Sequence, residues 1–170
     1  MKPRIDRIRA QYPDARTTSS VLLLLKSIPA TEFLNWNEKD HSERFSRTQR
    51  FRRVLDLFAT ERIEVEADLK IWLSQESNLL KLRFIKGIGP KTIDYFKILV
   101  GIAGSAIDMH LLNFLKLAGL TPRGYRDAQV IINATADRFS VNQSLFDHSI
   151  WQFMRKRGAG SKGGECDGQA

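Results

Sequence analysis

Apolar residues in this chain recur at the spacing of a helix and almost nowhere at the spacing of a strand. Phe51, Val54, Leu55 and Phe58 follow i, i+3, i+4, i+7. Asp147, Ile150, Trp151 and Met154 repeat the pattern, with a polar first member at the rim. Thr31 to Trp36, Glu66 to Ser74 and Leu111 to Leu117 read as shorter helices, and Val21 to Leu25 as a buried helical segment closed by Lys26. Tyr125 to Arg138 reads as a longer helix, entered after breaks at Pro122 and Gly124. Ile63 and Val65 give the only hint of a strand. The pattern predicts an all-α multi-helix bundle over residues 1–157, as one compact domain or two helical lobes. From Gly158 to Ala170 the chain is glycine-rich and without apolar period, and a disordered tail is expected there.

With 42% hydrophobic residues in 170, a real core is available. No run approaches the roughly 20 apolar residues of a membrane span, so no membrane partner is expected. The basic N-terminal residues lead into no apolar stretch with a small-residue cleavage site, which argues against a secretion signal. The single cysteine, Cys166, excludes an internal disulfide framework and a four-cysteine metal or iron–sulfur site. A reducing compartment follows, the cytoplasm with its nucleoid or the nucleus, and a monomer is expected. The formal charge of +8 and an isoelectric point near 9.9 suit nucleic acid, because displaced counterions favour phosphate binding. Charge alone equally fits an ordinary basic protein.

The stretch that carries chemistry runs from Leu79 to Val100. An amphipathic helix leads into Gly87-Ile88-Gly89, and a second helix begins at Pro90, a residue favoured at the first helical position. Two glycines around one apolar residue let the backbone turn tightly and approach a ligand with no Cβ in the way, while Ile88 plugs the gap between the helices. The first N–H groups of the second helix lack intrahelical partners and carry the positive end of its dipole, which suits a phosphate. Lys81, Arg83, Lys86, Lys91 and Lys97 face a single acid, Asp94, in this stretch. The plain alternative is an αα-hairpin with a glycine turn and solvated lysines. Under the phosphate reading the contacts come from Arg83, Lys86, Gly87, Ile88, Gly89 and Thr92.

Leu82-Arg83-Phe84-Ile85-Lys86-Gly87-Ile88-Gly89-Pro90-Lys91-Thr92 resembles the hairpin of the helix-hairpin-helix DNA glycosylases, the group of endonuclease III and the 8-oxoguanine glycosylases. In lyase-active members a catalytic lysine follows the second hairpin glycine by two positions, and Lys91 stands there. The family's aspartate, in an apolar-Asp-x-His context, matches Ala106-Ile107-Asp108-Met109-His110, with Asp108 17 residues after Lys91. The resemblance covers about Ser42 to Arg155 and is sharp from Leu79 to Leu117. It implies a bifunctional DNA glycosylase and AP lyase acting on double-stranded DNA that holds a damaged base or an abasic site. It implies no tightly held cofactor or metal and no iron–sulfur cluster, and it leaves room for a monovalent cation at the hairpin backbone.

The chemistry explains both residue types. Removing a base builds cationic character at C1′, which a carboxylate such as that of Asp108 stabilises. An unprotonated lysine amine, the role of Lys91, attacks the same carbon; burial and a helix's positive end favour that form of a lysine. Asp108 is also a suitable N-cap for the helix through Leu117, and the two roles are compatible. His110 reads as a local packing group. A second basic helix holds Arg44, Arg47, Arg50, Arg52 and Arg53, of which Arg47 and Arg50 share a face suited to DNA backbone, unless they pair with Glu43 and Asp56. Trp36, Phe45 and Gln49 are wedge candidates for an extruded base, and His148 and Trp151 close the bundle or line a base pocket.

Three departures from the family stand out. The region before the hairpin is short and lacks the helix that usually supplies an intercalating polar side chain. The iron–sulfur loop is absent, and Met109 stands where Thr or Arg is common. A non-catalytic hairpin module that holds DNA for a partner is therefore the competing reading. It explains the hairpin and the charge, but not the register of Lys91 with Asp108.

Overall fold

The computed structural model describes residues 2–35 and 46–160, which form ten α-helices and no strand. In chain order these are α1 (Lys2–Gln11), α2 (Thr18–Leu24), α3 (Ala30–Leu34), α4 (Arg47–Thr60), α5 (Glu66–Leu73), α6 (Glu76–Arg83), α7 (Pro90–Leu99), α8 (Met109–Leu117), α9 (Tyr125–Arg138) and α10 (Gln143–Gly160). The all-α expectation is met. Trp36, Glu43, Arg44 and Phe45 lie outside the described residues. The chain divides into two compact units, Met1–Gly89 and Pro90–Ala170.

In the first unit, α4 turns Val54, Leu55 and Phe58 inward, as its apolar spacing requires. Leu55 joins Leu25, Ala30, Phe33 and Leu34 in one core cluster, and Ile8 and Tyr12 cover its edge. The helix joints are closed by side chains. Ser46 caps α4 by accepting from the Gln49 N–H at 3.1 Å, and the Glu64 carboxylate accepts from the Ser19 N–H at 2.9 Å in the first turn of α2. The Trp72 indole donates to Glu61 at 2.9 Å while Lys81 pairs with the same carboxylate at 2.7 Å, tying the end of α4 to α5 and α6. These two bonds hold the Glu61 carboxyl below its ordinary range. Ile63 is buried in the link between α4 and α5, and Val65 stands at the N-cap of α5. Their alternation is that of a loop with one side anchored.

The second unit is built on Ile107, Leu111, Leu115, Ala128, Ile132 and Ile150, with Phe146 and Met154 packed against them. This is the apolar stripe of α8 meeting those of α9 and α10. The chain turns out of α7 at Gly101, which has φ +77°, with Ile102 N–H bonded to Lys97 O and Gly101 N–H to Ile98 O. That ending satisfies the last carbonyls of α7 and sends the chain towards Asp108.

Two boundaries differ from the sequence expectation. The helix before Gly87-Ile88-Gly89 stops at Arg83 and does not run into Gly87. Ile85 N–H bonds Leu82 O and Ile88 N–H bonds Ile85 O, so the chain tightens through short turns that bury Ile85. At the other end α10 continues to Gly160, past the expected start of the tail at Gly158, because each added residue extends an established hydrogen-bond ladder. Residues 161–170 lie outside the described part.

Candidate active site

Asp108 begins the site. Its extended backbone (φ −126°) makes it the N-cap of α8, and its Oδ1 accepts from the N–H groups of His110 at 2.8 Å and Leu111 at 3.1 Å. That leaves Oδ2, which faces the Lys91 ammonium at 3.8 Å. One carboxylate thus divides its oxygens: one fixes the helix, the other meets the lysine. The Asp108 side chain is 17% exposed and that of Lys91 is 56% exposed, so the aspartate is sheltered and the amine is reachable from outside. Lys91 sits in the first turn of α7, directly after Pro90. The two residues singled out by sequence register meet in space.

The segment that carries Asp108 is held at almost every residue. Ser144 Oγ donates to Gly104 O at 3.0 Å, and the Gln129 amide donates to Ser105 O at 2.7 Å. Ser105, fully buried, donates its hydroxyl to Asn133 Oδ1 at 2.8 Å. Asp147 Oδ2 accepts from the Ala106 N–H at 2.7 Å, and Ile107 enters the core. Lys91's helix is anchored in parallel. Asp94, one turn further along α7, accepts from Tyr125 Oη at 2.7 Å and from Gln129 Nε2 at 2.9 Å. Gln129 therefore bonds both the helix that bears the lysine and the strap that bears the aspartate. Burial and the bond to Asp94 push the Tyr125 phenol well above its ordinary range, so it serves here as a neutral donor.

On α10, His148 stacks on Trp151 with ring centroids 6.0 Å apart at 13°, and His110 meets the same indole edge-on at 6.0 Å and 78°. The Arg155 guanidinium lies 5.3 Å from its centroid. His110 packs locally, as the sequence suggested, and Trp151 is half-buried between the two imidazoles. Asp147 lies one residue before His148. Burial pushes its carboxyl above the ordinary value of 3.8, and the charge of Asp108 adds to that; the Ala106 N–H, His148 and Lys91 oppose it. A raised carboxyl favours the native state when protonated, so this group's contribution to stability declines as pH rises from about 3.8 through its folded value. Sequence reading placed Asp147 only at the rim of a helix. Its position as the one acid on the apolar stripe of α10 was the available signal.

Gly87, Gly89 and the basic residues of α4 and α6 belong to the first unit. Gly87 has φ +88°, and a Cβ added there would meet Arg50 Cδ and Nη1 at 2.6 Å. The Arg50 side chain thus lies along the turn. Gly89 has no such backbone and open space where a Cβ would be. Ile88 is half-buried, whereas Arg83, Lys86 and Arg47 are exposed. Arg52 is spent on structure, donating to Leu25 O at 3.0 Å at the end of α2. Thr92, in the second unit, is half-buried in the first turn of α7. These differences separate two uses of glycine. Gly87→Ala is expected to cost about 1–2 kcal/mol by denaturant unfolding, because an L-residue is strained there and Arg50 must move. Gly89→Ala is expected to leave stability within about 0.5 kcal/mol. Any loss of DNA affinity in Gly89→Ala then measures close approach by a ligand.

Comparison with protein-family models, with curated proteins and with solved structures finds no match for this chain.

Proposed function

We propose that this chain is a base-excision DNA glycosylase with AP lyase activity. The observation that carries this reading is the 3.8 Å approach of Lys91 Nζ to the sheltered oxygen of Asp108. An amine and a carboxylate held together are what the two-stage reaction needs. As the bond from C1′ to the base breaks, the base leaves with the bonding electron pair and takes up a proton. Asp108 stabilises the positive charge that develops on the sugar. The Lys91 amine, having lost its proton, forms a bond to C1′. The sugar ring then opens to a protonated Schiff base, and loss of a proton from C2′ expels the 3′ phosphate. Such a residue pair does nothing on a base still stacked in a duplex, so the target nucleotide must be extruded. The supporting cast is polar and local: Gln129, Ser105, Asn133 and Ser144 hold the aspartate's strap still, which such a site requires.

Incubation with a panel of duplex oligonucleotides, each holding one lesion or an abasic site, tests the reading. Release of a base or strand nicking at one lesion class is the expected result, and inertness towards the whole panel with intact duplex binding would favour the non-catalytic module. Binding itself should be electrostatic. For about three phosphate contacts, affinity is expected to fall roughly 10- to 100-fold between about 50 and 200 mM salt. Arg83→Ala and Lys86→Ala should each flatten the logarithmic slope by about one unit. A salt-insensitive affinity would remove the nucleic-acid reading.

A further inference from the structure

We infer that Asp147 is a third member of this site, a positioning residue that fixes the strap into Asp108 and adds its own charge to the field shared by Lys91 and Asp108. The inference rests on the proposed function for its consequences, but on geometry for its substance. Asp147 Oδ2 accepts from the Ala106 N–H at 2.7 Å, two residues before Asp108 and at the centre of the strap. One turn earlier on the same helix, Ser144 holds Gly104. Only one of the two Asp147 oxygens is used by that bond.

Charged groups on three helices bear on this carboxyl, Lys91 on α7, Asp108 at the head of α8 and His148 on α10 itself, and it in turn helps to raise the Tyr125 phenol on α9. A clamp alone needs only an acceptor, and an asparagine would provide it. A half-buried carboxyl is a costly choice for that task, since burial opposes its ionisation. What an aspartate supplies beyond an asparagine is charge. When ionised it deepens the negative field that a cation at C1′ would feel; when protonated it leaves that task to Asp108, the carboxylate that meets Lys91. Its titration therefore sets a pH below which the site is weaker.

The first test is made on the free, full-length protein. Carbon NMR of the Asp147 carboxyl is followed through an acid titration in wild type, Lys91→Gln and Asp108→Asn. In wild type the midpoint should lie above that of an exposed aspartate. It should move further up in Lys91→Gln, which removes a cation, and down in Asp108→Asn, which removes an anion. Midpoints unchanged in both variants would overturn the inference and leave Asp147 a backbone clamp. The second test uses excision kinetics in Asp147→Asn and Asp147→Ala. The asparagine can still accept from Ala106 N–H, so its thermal stability should stay near wild type, while turnover should fall roughly tenfold at unchanged KM and lose its low-pH limb. Wild-type turnover and pH profile in Asp147→Asn would equally overturn it. An inert wild-type protein would sink the glycosylase reading alone, because the NMR titration needs no substrate and still decides whether the three groups are coupled.

Discussion

Lys91→Gln is expected to abolish the covalent protein–DNA adduct that borohydride traps at an abasic site. Reduction fixes a Schiff base as a stable amine, and an amide cannot form one, so the loss should exceed 100-fold or so in trapped product. Strand nicking should disappear with it. Base release should survive more weakly, since Asp108 would still stabilise the cation while water takes the place of the amine. The comparison of variants is the measurement that matters. Lys86 and Lys97 are close in sequence, and lysines near an abasic site can form adventitious adducts. Equal trapping by wild type and Lys91→Gln would make Lys91 a phosphate contact and return the non-catalytic module to first place. The 56% exposure of the Lys91 side chain favours a clean result, because substitution there removes little packing.

Asp108→Asn carries the second large effect, and here function and folding should separate. Asparagine caps a helix about as well as aspartate, so bonds to the His110 and Leu111 N–H groups can persist. The lost charge at the positive end of α8 should cost about 0.3–1 kcal/mol. Base excision should fall about 100- to 1,000-fold, the scale seen when a transition-state charge loses its counterpart. Asp108→Ala, which also removes the cap, should cost a further 1 kcal/mol or so in stability. Calorimetry beside single-turnover excision distinguishes these contributions. If Asp108→Asn excised at the wild-type rate, the carboxylate would be a helix cap and nothing more.

Among the described helices, all but α1 were legible in the sequence, those with an apolar stripe most sharply. Phe51 to Phe58 marked α4, Tyr125 to Arg138 matched α9 end for end, and Asp147 to Met154 marked the middle of α10. α1 was not legible, because its ten residues are largely charged or polar and Ile5 stays exposed while Ile8 touches the core. A single packed residue leaves no period to read. The Lys91–Asp108 pair was singled out through register and resemblance, and the fold brings the two side chains to 3.8 Å. The rest of the site was not. Gln129, Asn133, Ser144 and Asp147 lie on α9 and α10, 24 to 41 residues from the strap they hold, and nothing in local spacing links them to it. Arg50 was one of five similar arginines in the sequence, and only the fold brings its side chain to Gly87.

The arrangement around Trp151 has an optical consequence. An indole packed between two imidazoles is a sensitive emitter, since a protonated imidazole quenches tryptophan fluorescence and a neutral one does so far less. His110 follows Asp108 by two residues and His148 follows Asp147 by one, so both quenchers are fixed to the backbone of the two carboxylates. Of the other two tryptophans, Trp72 is hydrogen-bonded to Glu61 in the first unit and Trp36 lies outside the described residues. With both of these changed to phenylalanine, the chain would hold a single tryptophan, excited apart from its three tyrosines at the red edge of the absorption band and built into the helix beside its own candidate site.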